Sequence, residues 1–236
     1  MKTLVLQAQS FDGFDGGAGS RYQAKREIRS FWYPTWLAQP AALISESRVL
    51  DAPADGFSVE ATLKLAAEYE LVIIHTSTPS FPTDALFAEK LKERAPGVLI
   101  GMVGAKVAVD PHHSLTASEA IDFVCREEFD YTCKEVAQGV PLANIKGLSY
   151  RLPDGSIEHN EARPMIENMD ELPFVAPVYK RDLKIGNYFI GYLLTIRMCR
   201  SIREAAAVRA AHSVYGRRRW AGIAIACVPS RTCSQK

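Results

Sequence analysis

Five short runs rich in branched aliphatic residues recur along the first 125 residues: about Thr3 to Gln7, Arg48 to Asp51, Leu71 to His75, Val98 to Val103 and Ile121 to Cys125. Leu71-Val72-Ile73-Ile74 and Val98-Leu99-Ile100 hardly alternate in polarity, so a strand built from either must be covered on both faces. The stretches between them carry apolar residues at helical spacing. Trp36, Leu37, Ala41 and Leu43 follow Pro34, which suits a first helical turn. Ala61, Leu63, Leu65 and Ala66 follow Ser58, a residue suited to cap a helix N-terminus. Ala85, Leu86, Ala88 and Leu91 mark a helix over Pro82 to Arg94, and another spans Phe129 to Ala137. Strands alternating with helices predict an α/β domain over residues 1–140, a flavodoxin-like (Rossmann-like) doubly wound parallel sheet.

After Gly139 the pattern changes. Ile145 to Leu152, the turn-forming Pro153-Asp154-Gly155-Ser156 and Ile157-Glu158-His159 predict a β-hairpin. Residues 160–190 are rich in proline and aromatics with little periodicity, which predicts an irregular connector lying on a partner surface. Phe174, Tyr179, Tyr188, Phe189 and Tyr192 would be costly to leave in water. Residues 141–194 are therefore read as hairpin and connector. Residues 195–236 form a separate Ala/Arg-rich tail with nine basic residues and one acid, Glu204.

A formal charge of +1 gives no global attraction to nucleic acid or an anionic membrane, and the basic tail lacks the interleaved aromatics of a single-strand groove. No transmembrane run is present, and Met1-Lys2-Thr3 leads straight into the first strand, which predicts a cytoplasmic protein. Cys125, Cys133, Cys199, Cys227 and Cys233 match no zinc or cluster spacing and read as reduced thiols. The adjacent His112 and His113, placed in a loop, suggest no metal site, and Glu127-Glu128 reads as a solvated helix start. No nucleophile-elbow sequence is present, so no catalytic residue is assigned.

In an open α/β sheet, ligands bind beyond the carboxyl ends of the strands. Four segments converge there. The Gly-rich loop after the first strand contributes Ser10, Gly13, Gly16 and Gly17, where backbone can approach a flat, bulky cofactor closely. Asp55, beside Gly56, flanks a second loop. His75, Thr76, Ser77 and Ser80 offer hydrogen-bonding groups after the third strand, and Gly104 and Lys106 follow the fourth. Neither a G-x-G-x-x-G nor a Walker sequence is present, which argues against a nucleotide.

Several of these segments resemble the N-terminal domain of cobalamin (B12)-binding radical SAM proteins: Leu50-Asp51-Ala52, Leu71 to Ile74 with its Thr/Ser/Pro loop, Met102 to Lys106, and Asp122-Phe123-Val124-Cys125-Arg126-Glu127-Glu128, similar to a family form "DFVVRGEGE". Gln9 to Gly17, Phe31 to Leu37 and Gly147 to Gly155 are most similar to the hopanoid-biosynthesis-associated radical SAM group of bacteria. The resemblance spans about residues 1–193. It implies cobalamin as cofactor and, in a full-length relative, a [4Fe-4S] cluster, S-adenosylmethionine and a hopanoid-lipid substrate. The cluster needs C-x-x-x-C-x-x-C, which this chain lacks, so the cluster and S-adenosylmethionine are not expected to bind it. Asp55-Gly56-Phe57-Ser58 also departs from the D-x-H-x-x-G loop that supplies an axial histidine in better-known cobalamin domains.

The tail offers a reason for the missing cysteines. Permitted codons for Ile196 to Gly216, read one nucleotide earlier, encode G-x-G-C-x-x-x-C-x-x-C, with the cysteine codons straddling Ala206/Ala207, Ala210/Ala211 and Ser213/Val214. The expectation is a frameshifted tail on a cofactor-binding domain that is non-catalytic alone. The alternative is a flavodoxin-like interaction or signalling module with no cofactor.

Overall fold

The structure, a computed structural model, describes residues 1–12 and 33–188. Strands β1 (Thr3–Gln7), β2 (Ser47–Asp51), β3 (Leu71–His75), β4 (Leu99–Val103) and β5 (Phe123–Cys125) are parallel; β6 (Leu148–Arg151) and β7 (Ile157–His159) continue the same sheet antiparallel. The order β2-β1-β3-β4-β5-β6-β7 begins with the 2-1-3-4-5 arrangement of flavodoxin-like folds. The strand order reverses between β1 and β3, and the carboxyl ends of strands at such a reversal are where open α/β sheets bind ligands.

Helices cover both faces: α1 (Thr35–Leu43), α2 (Ala52–Asp55), α3 (Val59–Ala66), α4 (Phe81–Arg94), α5 (Ala105–Val109), α6 (Pro111–Ala117), α7 (Asp130–Ala137) and α8 (Ala176–Asp182). Successive strand residues point to opposite faces, which divides the core in two. Val5, Val49 and Ile73 pack with Leu37, Ala38 and Ala41 of α1, Val136 of α7 and Val178 of α8. Leu4, Leu6, Val72 and Ile74 pack with Leu63 of α3, Phe87 and Leu91 of α4 and Leu115 of α6. The uninterrupted apolar runs are therefore buried as doubly covered strands must be. Gly101 has a packing reason in β4, since a Cβ there would lie 2.1 Å from the Phe123 ring.

Local signals also act as the residue chemistry dictates. Ser58 Oγ accepts from Ala61 N at the start of α3. Gly56, with φ 70°, ends α2 in the left-handed conformation that glycine adopts without strain.

The structure corrects three sequence expectations. The segment holding His112 and His113 is not a loop but the helix α6, which Pro111 opens at a position where a missing N–H costs nothing. Glu128 is not simply solvated, because its Oε2 accepts from Ile166 N at 2.6 Å and ties the start of α7 to the connector. The connector itself lies on its own domain. Val175, Val178, Leu183 and Tyr188 are buried in the α1 face of the core, and Tyr33 stacks on Tyr179 and Tyr188 with ring centroids 4.8 and 4.9 Å away. Periodicity could not reveal this, since the contacts join residues more than 130 positions apart. Phe174 does remain exposed, at 68 %, whereas Phe189 and Tyr192 lie outside the described residues.

Candidate functional site

The carboxyl ends of β1 and β3 place Gln7 beside His75. Gln7 Oε1 lies 2.9 Å from His75 Nδ1, and Trp36 of α1 packs over the imidazole with ring centroids 5.5 Å apart. His75 is thus fixed from two sides at the point where the strand order reverses. Gly104 presses on the same spot with φ 121°; a Cβ there would lie 2.1 Å from Thr76 O and 3.3 Å from His75 Cδ2, so only glycine lets the β4 loop close against the β3 loop.

The β3 loop is a tight polar turn. Thr76 is buried, and its N–H donates to Val103 O, carrying the β3–β4 ladder one residue past the strand. Ser77 N donates to Ser80 Oγ at 3.0 Å, the two serine hydroxyls are 2.8 Å apart, and Phe81 N donates to Ser77 O. These bonds turn the chain into α4. Side chains on a helix lean toward its N-terminus, so Asp84 in the first turn sits beneath this loop, within reach of the Thr76 and Ser80 hydroxyls. Asp84 is 4 % exposed, and its Oδ2 has no hydrogen-bond partner among the described residues. Burial pushes its carboxyl up to about 7, although the two hydroxyls pull the other way.

The remaining candidates divide. Ser10 lies just past β1, where its Oγ accepts from Asp12 N, while Gly13, Gly16 and Gly17 lie outside the described residues. Lys106 stands at the start of α5, paired with Asp110 at 3.2 Å and 5.7 Å from the Phe81 ring centroid. Asp55 is instead occupied by the connector, with Lys184 Nζ and Asn187 Nδ2 at 3.9 and 3.5 Å. Ser10, His75, Thr76, Ser77, Ser80, Gly104 and Lys106 thus follow the carboxyl ends of β1, β3 and β4, while Asp55, beyond the carboxyl end of β2, is engaged by the connector.

Sequence reasoning missed Gln7, Gln9 and Asp84. The signal for Asp84 was present, because it interrupts an apolar series running Phe81, Ala85 and Ala88 on one helical face. Gln9 Oε1 is also buried without a partner among the described residues. Among those residues no cluster of three or more His, Cys, Asp or Glu is arranged to hold a metal ion, and no helix is long and apolar enough to cross a membrane. A hollow of about 620 Å³ lined by Glu89, Lys92, Glu119 and Asp122 lies at the opposite end of the strands and belongs to no part of the crevice.

No protein-family model matches the chain. An uncharacterized methyltransferase of Pyrococcus horikoshii is 28 % identical over 188 residues, covering 74 % of this chain and 40 % of that protein. The cobalamin-dependent S-adenosylmethionine radical enzyme OxsB, solved with aqua-cobalamin and S-adenosylmethionine bound, superposes with a TM-score of 0.51 at 12 % identity, over 70 % of this chain and 23 % of OxsB. The radical S-adenosylmethionine methyltransferase TsrM of Kitasatospora setae, with cobalamin and a [4Fe-4S] cluster bound, superposes with a TM-score of 0.50 at 11 % identity, over 73 % and 31 % of the two chains. The two solved structures share this fold. The chain spans about two fifths of the length of the methyltransferase it matches and less than a third of either solved enzyme.

Proposed function

We propose that this chain is a cobalamin-binding module of the kind found in radical S-adenosylmethionine proteins, and that the corrinoid docks at the carboxyl ends of β1, β3 and β4. The observation that carries the reading is the reversal of strand order between β1 and β3, together with Gln9 Oε1 at that end of the sheet, buried and without a partner among the described residues. A corrinoid presents a broad apolar macrocycle fringed with primary amides, and an amide N–H is the donor that the Gln9 oxygen lacks. The close approach at Gly104 and the hydroxyls of Thr76, Ser77 and Ser80 suit the same ligand. When bound, cobalamin supplies a cobalt centre able to carry a carbon group; this chain's residues hold and orient it. Ser10, Gly13, Gly16, Gly17, His75, Thr76, Ser77, Ser80, Gly104 and Lys106 are the proposed contacts. Asp55 acts as a brace for the connector.

The finer reading rests on the sequence likeness. A full-length relative acts on a hopanoid lipid in the cytoplasm with a [4Fe-4S] cluster, and residues 195–236, which lie outside the described residues, are a frameshifted tail that replaces the cluster-binding segment. The nucleotide sequence across codons 185–236 and beyond tests this. A single-base change that opens a long frame through C-x-x-x-C-x-x-C supports it, and an intact locus without that frame overturns it.

Titration with aquacobalamin, followed by visible absorbance and equilibrium dialysis, tests the module itself. Saturable binding with one corrinoid per chain is the expected result. Absence of binding at millimolar corrinoid would favour an interaction module without cofactor.

A further inference from the structure

We infer that Asp84 is a positioning residue of the corrinoid crevice: its carboxyl, lodged beneath the Thr76–Ser80 turn, holds that turn in the shape that receives an amide-bearing macrocycle. The inference rests on the corrinoid reading above and deepens it by assigning a residue that touches the loop instead of the ligand.

The geometry supports this in three ways. Asp84 is a polar residue set on the buried face of α4, where an apolar side chain would pack with Phe87, Ala88 and Leu91 at lower cost. Its carboxyl lies where the hydroxyls of Thr76 and Ser80 converge, and Thr76 is in turn fixed to β4 through Val103 O and hemmed in by Gly104. One oxygen remains unpartnered among the described residues, and a buried polar atom of this kind is retained at a cost that function commonly explains.

The carboxyl also has two forms with different consequences. The two hydroxyls donate to the carboxyl and favour its ionised form, but that form carries a charge into a dry site, and the cost of burial outweighs them. No charged side chain contributes to its shift. The ionisable groups on the elements packed around it are His75 at the end of β3, Lys106 and Asp110 on α5, and Glu60 and Lys64 on α3. Lys106 is paired with Asp110, and Glu60 with Arg94 at the far end of α4. The turn is therefore ordered for binding when Asp84 is protonated and loosened when it ionises.

The test is aquacobalamin affinity from pH 6 to 9 for the full chain and for Asp84→Asn, which keeps the shape and the neutral state. The wild-type chain is expected to lose affinity above pH 7, approaching tenfold per pH unit for one linked proton. The variant is expected to bind within about threefold of the wild-type value at pH 6, with no such fall above pH 7. His75 and Lys106 are present in both proteins, so whatever they contribute is common to the two profiles. Parallel profiles, or a folded Asp84→Asn chain that does not bind, would overturn the assignment. Should the variant fail to fold, carboxyl carbon NMR of the wild-type chain decides: the Asp84 midpoint rises on saturation with aquacobalamin if the assignment holds, and an unmoved midpoint refutes it. A wild-type chain that binds no corrinoid even at pH 6 refutes the corrinoid reading itself and this inference with it.

Discussion

Glu127 has φ 52°, a left-handed conformation that costs a non-glycine residue about 1–2 kcal/mol, and it stands where the similar family form has glycine. Replacing Glu127 by Gly should raise stability by up to about 1 kcal/mol, part of the relief being offset by added freedom in the unfolded chain; urea unfolding at pH 7 measures it. Gly101→Ala acts in the opposite sense. Its methyl would meet the Phe123 ring at 2.1 Å, and overpacking of this kind costs about 1–3 kcal/mol, visible as a lower midpoint in the same experiment. Asp84 supplies a pH dependence. Its carboxyl titrates near 7 in the folded chain and near 3.8 when unfolded, so between these values the folded state holds a proton that the unfolded state releases. Stability is highest below about pH 4 from this group and falls as pH rises toward 7, by at most about 1.4 kcal/mol per unit. Asp84→Asn should remove that slope, and unfolding curves at pH 5, 6, 7 and 8 would show whether it does.

The connector shows how an element without periodicity can still be specified. Asp182 Oδ2 accepts from Val49 N at 2.8 Å, and Tyr188 donates from its hydroxyl to Asp51 Oδ2 at 3.1 Å, so residues 176–188 run along β2, which is the edge of the sheet. An unpaired strand edge is a template for wrong pairing, and here the chain covers its own. Burial and the neighbouring Asp51 push the Tyr188 phenol well above its usual range, so it remains a donor at any ordinary pH. Tyr188→Phe should cost about 1 kcal/mol through the lost hydrogen bond, and Tyr188→Ala about 3–5 kcal/mol through the lost packing against Tyr33. Faster amide hydrogen exchange at Val49 and Leu50 in the alanine variant would locate the damage at the edge. The strands of the sheet were legible in the sequence because each apolar run is short, continuous and bounded by turn residues. The connector was not, because what orders Tyr179 and Tyr188 is a stack with Tyr33 and hydrogen bonds to Thr35 and Asp51, all distant in the chain. The crevice was half legible. Polar residues clustered after strands pointed to His75, Thr76, Ser77 and Ser80, whereas Gln7 and Asp84 matter through partners that only the folded chain brings near.

For the molecule as a whole, one sheet with a core on each face continues past residue 140, because β6 pairs with β5 through Phe123, Val124 and Cys125. A protease-resistant fragment should therefore retain the hairpin and the connector at least as far as Tyr188. Limited trypsin digestion followed by mass spectrometry would detect instead a fragment ending near residue 140 if the hairpin were loosely attached. The β2 edge carries a further consequence in time. During synthesis β1 emerges first and can pair with β2 and β3 on its two sides, yet the outer side of β2 finds its partner only when Asp182 and Tyr188 leave the ribosome, some 130 residues later. At about 5–20 residues per second this leaves the edge open for several seconds or more in each newly made chain. A ribosome stall before residue 182 would strand the nascent sheet with that edge bare, the state in which holding by a chaperone would matter most.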